Sequence, residues 1–139
     1  PVKLVLVGPG PSQEELGRRA EELGVADRVI LTGKCSPEEV AVLLKQADVF
    51  SLASYHFDNQ PMVSLEAAAC GLPIVYCDER MTECLTERNA ILTDGIEGAD
   101  FARLAELSDG ALEVAQQFDS ETMTKRLINL YEDLLVSYR

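Results

Sequence analysis

Short apolar runs alternate with helix-like segments along most of this chain, and that alternation limits the fold more than any other feature. Val2 to Val7 is apolar except for Lys3, which predicts a strand covered on both faces. After Gly8-Pro9-Gly10-Pro11, Ser12 and Glu15 have capping-box spacing. The helix they open should run to about Leu23 and stop at Gly24. Arg28 to Thr32 reads as a second strand, and Ser36 caps a helix reaching about Gln46. Asp48 to Leu52 is a third strand and Pro73 to Cys77 a fourth, with a loop and helix between them. A short helix is expected over Met81 to Glu87, then a fifth strand at Ala90 to Thr93. From Glu97 the chain reads as helical, broken near Ser108-Asp109-Gly110. A last amphipathic helix from Asp119 or Ser120 carries Met123, Leu127, Leu130, Leu134 and Leu135. Strand and helix in strict alternation, with short links, predict an α/β fold: a doubly wound parallel sheet of about five strands flanked by helices, with right-handed crossovers.

The 139 residues are read as one domain, 1–139, with no internal repeat or linker. A net charge of −12 argues against a nucleic-acid partner, because no Lys/Arg cluster could neutralise a phosphate backbone. It gives no support for a basic membrane-docking face either. No apolar run has membrane-spanning length and no signal peptide opens the chain. The sequence starts at Pro1 and enters a strand at once, so a piece of a longer protein is expected. Cys35, Cys70, Cys77 and Cys84 form no C-x-x-C pair, and His56 is not placed to complete a zinc site. They read as free, mostly buried thiols of a reducing, cytoplasmic compartment, with no metal site.

In parallel sheets of this kind ligands bind beyond the carboxyl ends of the strands. The candidate loops are therefore Gly8 to Pro11, Gly33 to Ser36, Ala53 to Pro61 and Asp78 to Glu83. Gly8 and Gly10 permit close backbone approach, but Gln13 stands where a dinucleotide fingerprint needs a third glycine. Pro9 and Pro11 remove two amides, and a tight turn alone would account for the motif. The loop ending at Pro61 carries more information. The helix that begins there offers free amides and a positive dipole end to an anion such as a diphosphate. Gly71 and Pro73 end that helix. Its single charge, Glu66, has Met62, Val63, Ala69 and Cys70 as helical neighbours. Glu66 is either a helix-edge acid reaching water or an acid kept for a ligand. Asp58 is likewise either an N-cap or a second carboxylate for the same ligand. Two such acceptors suit hydroxyl-rich groups such as a ribose and a hexose.

Asp58 and Glu66 lie eight apart, followed by Ala67-Ala68-Ala69-Cys70-Gly71-Leu72-Pro73-Ile74-Val75. This block resembles the E-x7-E stretch and following helix of the family 4 retaining glycosyltransferases ("glycosyl transferases group 1"). Leu4 to Pro11, Leu23 to Gly33, Ala47 to Phe50, Glu83 with Asn89 to Leu92, and Phe118 to Tyr131 resemble further family segments in the same order. The likeness covers essentially the whole chain. It implies a Rossmann-like, donor-binding C-terminal half of a GT-B fold. It further implies that Glu66 holds the ribose of a nucleotide-diphosphate sugar and that Asp58 faces the sugar. Backbone around Asn59, Gln60, Pro61, Met62 and Val63 would meet the diphosphate. Gly33, Lys34 and Cys35 would lie against the base, and Gly8 and Gly10 would line the donor site. The reaction implied is hexosyl transfer with retention, to a lipid, polysaccharide or other glycan, with no cofactor required.

Three features depart from the family pattern. Asp58 replaces a glutamate and is shorter by a methylene. Ser54 to Asp58 is one residue longer than the usual spacing. The family's preceding strand and helix, with the arginine and lysine that neutralise the diphosphate, do not match any segment here, nor does the acceptor-binding N-terminal half. A fragment is therefore expected, binding donor weakly and not turning over alone, within a full-length protein that the resemblance allows to be a peripheral membrane protein. A sugar-nucleotide epimerase of the same architecture and a non-catalytic nucleotide- or partner-binding module stay open. The epimerase would need further acid/base groups, for which His56 is the obvious extra candidate.

Overall fold

The structure is a computed structural model that describes residues 2–55, 61–95 and 98–137. Its strands are β1 (Leu4–Val7), β2 (Val29–Gly33), β3 (Phe50–Leu52), β4 (Ile74–Tyr76) and β5 (Ala90–Leu92). The helices are α1 (Gln13–Glu22), α2 (Pro37–Gln46), α3 (Met62–Ala69), α4 (Leu104–Gln117) and α5 (Ser120–Ser137). Every strand pairing is parallel, as the alternation predicts. The pairings form a two-stranded sheet, β1-β2, and a three-stranded sheet, β3-β4-β5. The chain divides into two compact units, 1–43 and 44–139, with the division inside α2.

In the first unit, Leu4 pairs with Val29 and Val7 with Gly33. Burial corrects one expectation: Leu4, Val5 and Val7 are exposed, so β1 is not covered on both faces. A two-stranded sheet with α1 against β2 has too little mass to cover both faces. α1 stops as predicted. Gly24 is left-handed (φ +66), Val25 N–H donates to Ala20 O and Gly24 N–H to Glu21 O, which together make a Schellman end. Ser12, however, makes no side-chain cap. The reciprocal capping box forms at α2 instead, where Ser36 N–H donates to Glu39 Oε2 (2.7 Å) and Glu39 N–H to Ser36 Oγ (3.3 Å).

The second unit holds most of the core. Central strand β4 buries Ile74 and Val75, and α3 and α4 bury Ala67, Ala68, Leu107, Ala111 and Val114. α3 ends in another Schellman motif around left-handed Gly71 (φ +74), with Leu72 N–H donating to Ala67 O and Gly71 N–H to Ala68 O. Ser108 Oγ donates to the Gly71 carbonyl at 2.6 Å and ties α4 to that turn.

Two expected features are absent here. No helix forms over 81–87. Cys84 takes a left-handed conformation (φ +58), which ends any helical run. The segment is held by Asn89, which is fully buried: Nδ2 donates to Cys84 O, and Oδ1 accepts from Thr86 N–H and Oγ1, each at 2.9 Å. Nor is there a break at Ser108-Asp109-Gly110, since α4 runs through it. Gly110 is needed for close approach: a Cβ there would lie 1.8 Å from the Arg88 carbonyl oxygen. α5 begins where expected, capped by Asp119, whose Oδ1 accepts from Thr122 N–H (2.8 Å) and Oδ2 from Thr122 Oγ1 (3.0 Å). Its apolar residues keep helical spacing but none is buried. The four cysteines are free; only Cys84 is buried and the others are half-buried, which corrects the expectation of mostly buried thiols.

Candidate functional site

The predicted site residues are divided between the two units. In the first, Gly8 (φ +116) and Gly33 (φ +66) both occupy backbone regions that favour glycine. Gly8 N–H donates to Gly33 O at 2.9 Å, closing the carboxyl end of the β1-β2 pair. A cavity of 260 Å³ lies beside this turn, lined among others by Val7, Gly8, Gly10, Ser12, Gln13 and Leu16. A Cβ on Gly10 would touch nothing within 4 Å, so its backbone is open to approach. Lys34, exposed, and Cys35, half-buried, lead on to α2.

In the second unit the site residues cluster on α3. Pro61 is buried and stands at the N-cap in extended backbone. It provides no amide, and among the described residues no side-chain cap covers the helix start. The first turn begins with Met62, exposed, and Val63, half-buried. Ser64, Ala67 and Ala68 form the buried face. Glu66 is exposed on the opposite face with Met62 and Ala69. Its carboxylate makes no hydrogen bond or ion pair among the described residues. The sequence left open a helix-edge acid reaching water or an acid kept for a ligand; the turn of α3 puts the oily face of the helix elsewhere and leaves Glu66 exposed. The same exposure leaves both carboxylate oxygens available as acceptors. Asp58, Asn59, Gln60 and His56 lie outside the described residues. Ser64 Oγ is buried with no hydrogen-bond partner among the described residues.

One cluster was not singled out from the sequence. Asp78, in the loop after β4, is 1% exposed. Arg80 grips it with a fork, Nε to Oδ1 at 2.9 Å and Nη2 to Oδ2 at 2.7 Å, and the Arg80 backbone N–H adds a bond to Oδ1 at 3.1 Å. The hydrogen bond to Asp78 raises the Arg80 pKa further above its ordinary value. Arg80 Cζ lies 6.0 Å from the centroid of the Tyr55 ring. The sequence flagged this loop by position only, because the burial of Asp78 is a tertiary fact. Among the described residues no group of three or more His, Cys, Asp or Glu side chains is placed to hold a metal ion. No helix among them is long and apolar enough to cross a membrane.

Parallel strands joined by helices and a glycine turn at a strand end place the chain in the Rossmann-like α/β class. The particular family follows from comparison. The chain belongs to the glycosyl transferases group 1 family, whose model matches residues 1–133. It is 32% identical over 155 aligned positions to D-inositol 3-phosphate glycosyltransferase of Acidothermus cellulolyticus, covering 99% of this chain and 34% of that protein. It is 40% identical over 74 positions to alpha-monoglucosyldiacylglycerol synthase of Streptococcus pneumoniae, covering 53% of this chain and 17% of that one. In fold it is similar to Anabaena Alr3699/HepE, solved in complex with UDP, with a TM-score of 0.77, 23% identity, and coverage of 95% of this chain and 41% of that one. The chain thus spans about a third or less of these curated relatives, and its fold is a Rossmann-like half of the GT-B kind.

Proposed function

We propose that this chain is the donor-binding domain of a retaining, family 4 glycosyltransferase. The full protein would move a hexosyl group from a nucleotide-diphosphate sugar to a lipid, polysaccharide or other glycan. The observation that carries this reading is Glu66: an exposed carboxylate in the second turn of α3, with no protein partner for it and no side-chain cap at the helix start among the described residues. Family membership over nearly the whole chain supports it.

Each part of the donor then has a residue suited to it. The amides beginning α3, with Asn59 and Gln60 before them, take the diphosphate, because a helix start carries partial positive charge. Glu66 accepts from the ribose hydroxyls, as a carboxylate acceptor does in a charge-assisted bond. Asp58 faces the hexose at the first acidic position of the E-x7-E pattern. Gly33, Lys34 and Cys35 lie along the base, and the Gly8–Gly10 turn allows backbone approach. Transfer is then mainly a matter of holding the glycosyl phosphate bond in place and stabilising the departing diphosphate. The acceptor half and the preceding strand and helix belong to the longer protein, so this chain binds donor without turning it over. The free thiols favour a cytoplasmic site of action, with peripheral membrane association for a lipid acceptor.

Titration of the full-length protein with UDP and GDP, with and without Mg²⁺, tests this reading. Glu66→Ala should weaken binding by about tenfold or more while a distal change such as Lys125→Ala leaves it intact. Equal binding by Glu66→Ala and wild type would refute the site.

A further inference from the structure

The fork between Arg80 and Asp78 leaves one edge of the guanidinium unused. Nε–H and one Nη2–H are committed to Asp78. Nη1 makes no hydrogen bond or ion pair among the described residues, and the Arg80 side chain is 53% exposed. The charge is also held in place. Asp78 is buried and fixes the fork, and the Tyr55 ring lies beneath the guanidinium. An arginine gripped this way has lost much of its side-chain freedom before any ligand arrives.

Its position gives that edge a use. β3 and β4 are parallel neighbours, so the loops leaving them depart from the same carboxyl edge of the sheet. Tyr55 lies just after β3 and before α3 in the chain, and Arg80 in the loop that follows β4. Across 53–61 and 77–87 the sequence holds a single Lys or Arg, which is Arg80. In a chain of net charge −12, a diphosphate at the start of α3 has few other cations to offset it. We propose that Arg80 presents its Nη1 edge to a phosphate of the nucleotide sugar, with Asp78 and Tyr55 as the residues that position it. This rests on the donor-site reading above and adds to it a cation contributed by this chain.

The test compares UDP and GDP with their nucleosides, uridine and guanosine, on the full-length protein, by calorimetry for the diphosphates and saturation-transfer NMR for the nucleosides. Arg80→Gln should weaken the better diphosphate by about tenfold, the scale of one charge-assisted hydrogen bond, and leave its nucleoside unchanged. Arg80→Lys should recover only part of the loss, since a point charge replaces a planar fork. If Arg80→Gln, which takes the guanidinium away from the buried Asp78 carboxylate, does not fold, Asp78→Asn combined with Arg80→Gln removes that charge and should show the same selective loss. Diphosphate affinity within about twofold of wild type, or an equal loss for nucleoside and diphosphate, overturns the assignment. Glu66→Ala in the same series separates the two ideas. If it weakens diphosphate binding while Arg80→Gln does not, only the arginine assignment fails. If the wild type binds neither diphosphate, both fail.

Discussion

Asn89→Ala offers the sharpest test of how the loop after β4 is built. The amide is fully buried and makes three hydrogen bonds within one short segment. Removing it strands the carbonyl of buried Cys84, and a buried group left without its partner costs about 1–3 kcal/mol. Thr86 is exposed, so water can replace the lost acceptor at its N–H and hydroxyl for about 0.5–1 kcal/mol each. The Asn89 bond also helps hold Cys84 at φ +58, a conformation that costs a non-glycine residue about 1–2 kcal/mol. The expected total is about 3 kcal/mol, a large share of a domain's usual 5–15 kcal/mol or so. Urea unfolding followed by circular dichroism should show the midpoint falling by about 1–2 M with an unchanged slope. Asn89→Asp keeps the acceptors but sets a carboxylate against the Cys84 carbonyl. It should be as unstable as the alanine variant at neutral pH and recover as the pH falls and the acid gains a proton to donate. A loss below about 0.5 kcal/mol for Asn89→Ala, the level of an ordinary surface change, would refute this account of the loop.

Other outcomes follow from the same structure. Gly110→Ala would drive a Cβ into the Arg88 backbone and should cost about 3 kcal/mol or more, read by the same unfolding assay. Ser64→Ala removes a buried hydroxyl with no partner among the described residues and favours helix, so it should stabilise by about 0.5–1 kcal/mol in a thermal melt. Burial, with help from Glu83, raises the Cys84 pKa from 9.0 to about 11. The folded state therefore holds that proton more tightly than the unfolded state. Stability from this group is complete below pH 9 and is lost as pH rises toward about 11, and Cys84→Ala should remove that part of the decline. Bonds from the Thr122 backbone and hydroxyl lower the Asp119 pKa. This capping contribution is present at neutral pH and fades as acid protonates Asp119, and Asp119→Asn should flatten the acid limb of the helix signal measured by circular dichroism.

The strand and helix order was legible because local chemistry decides it. Apolar runs ended by Gly24, Gly33 and Gly71 leave few alternatives, and each of these glycines has positive φ. What was misread depended on contacts between distant parts of the chain. Met81 and Leu85 have helical spacing, but buried Asn89 pulls Cys84 out of helical geometry. Ser108-Asp109-Gly110 reads as a turn, whereas the glycine is there because the Arg88 backbone passes so close. Ser12 and Ser36 carry the same capping signature, yet only the second closes the box. In the candidate site the sequence located helix α3, with Glu66 as its one charge. It left open whether Glu66 would reach water, and it could not tell that Asp78 would be buried and carry Arg80 with it.

The most direct measurement is a cycle between one ligand hydroxyl and one carboxylate. Full-length wild type and Glu66→Ala are each titrated with a ribonucleoside diphosphate and with its 2′-deoxy and 3′-deoxy analogues. Wild type should favour the ribonucleotide over at least one analogue by about tenfold or more, the scale of a hydrogen bond to a charged acceptor, and that preference should vanish in Glu66→Ala. A preference that survives the loss of Glu66 would contradict the account.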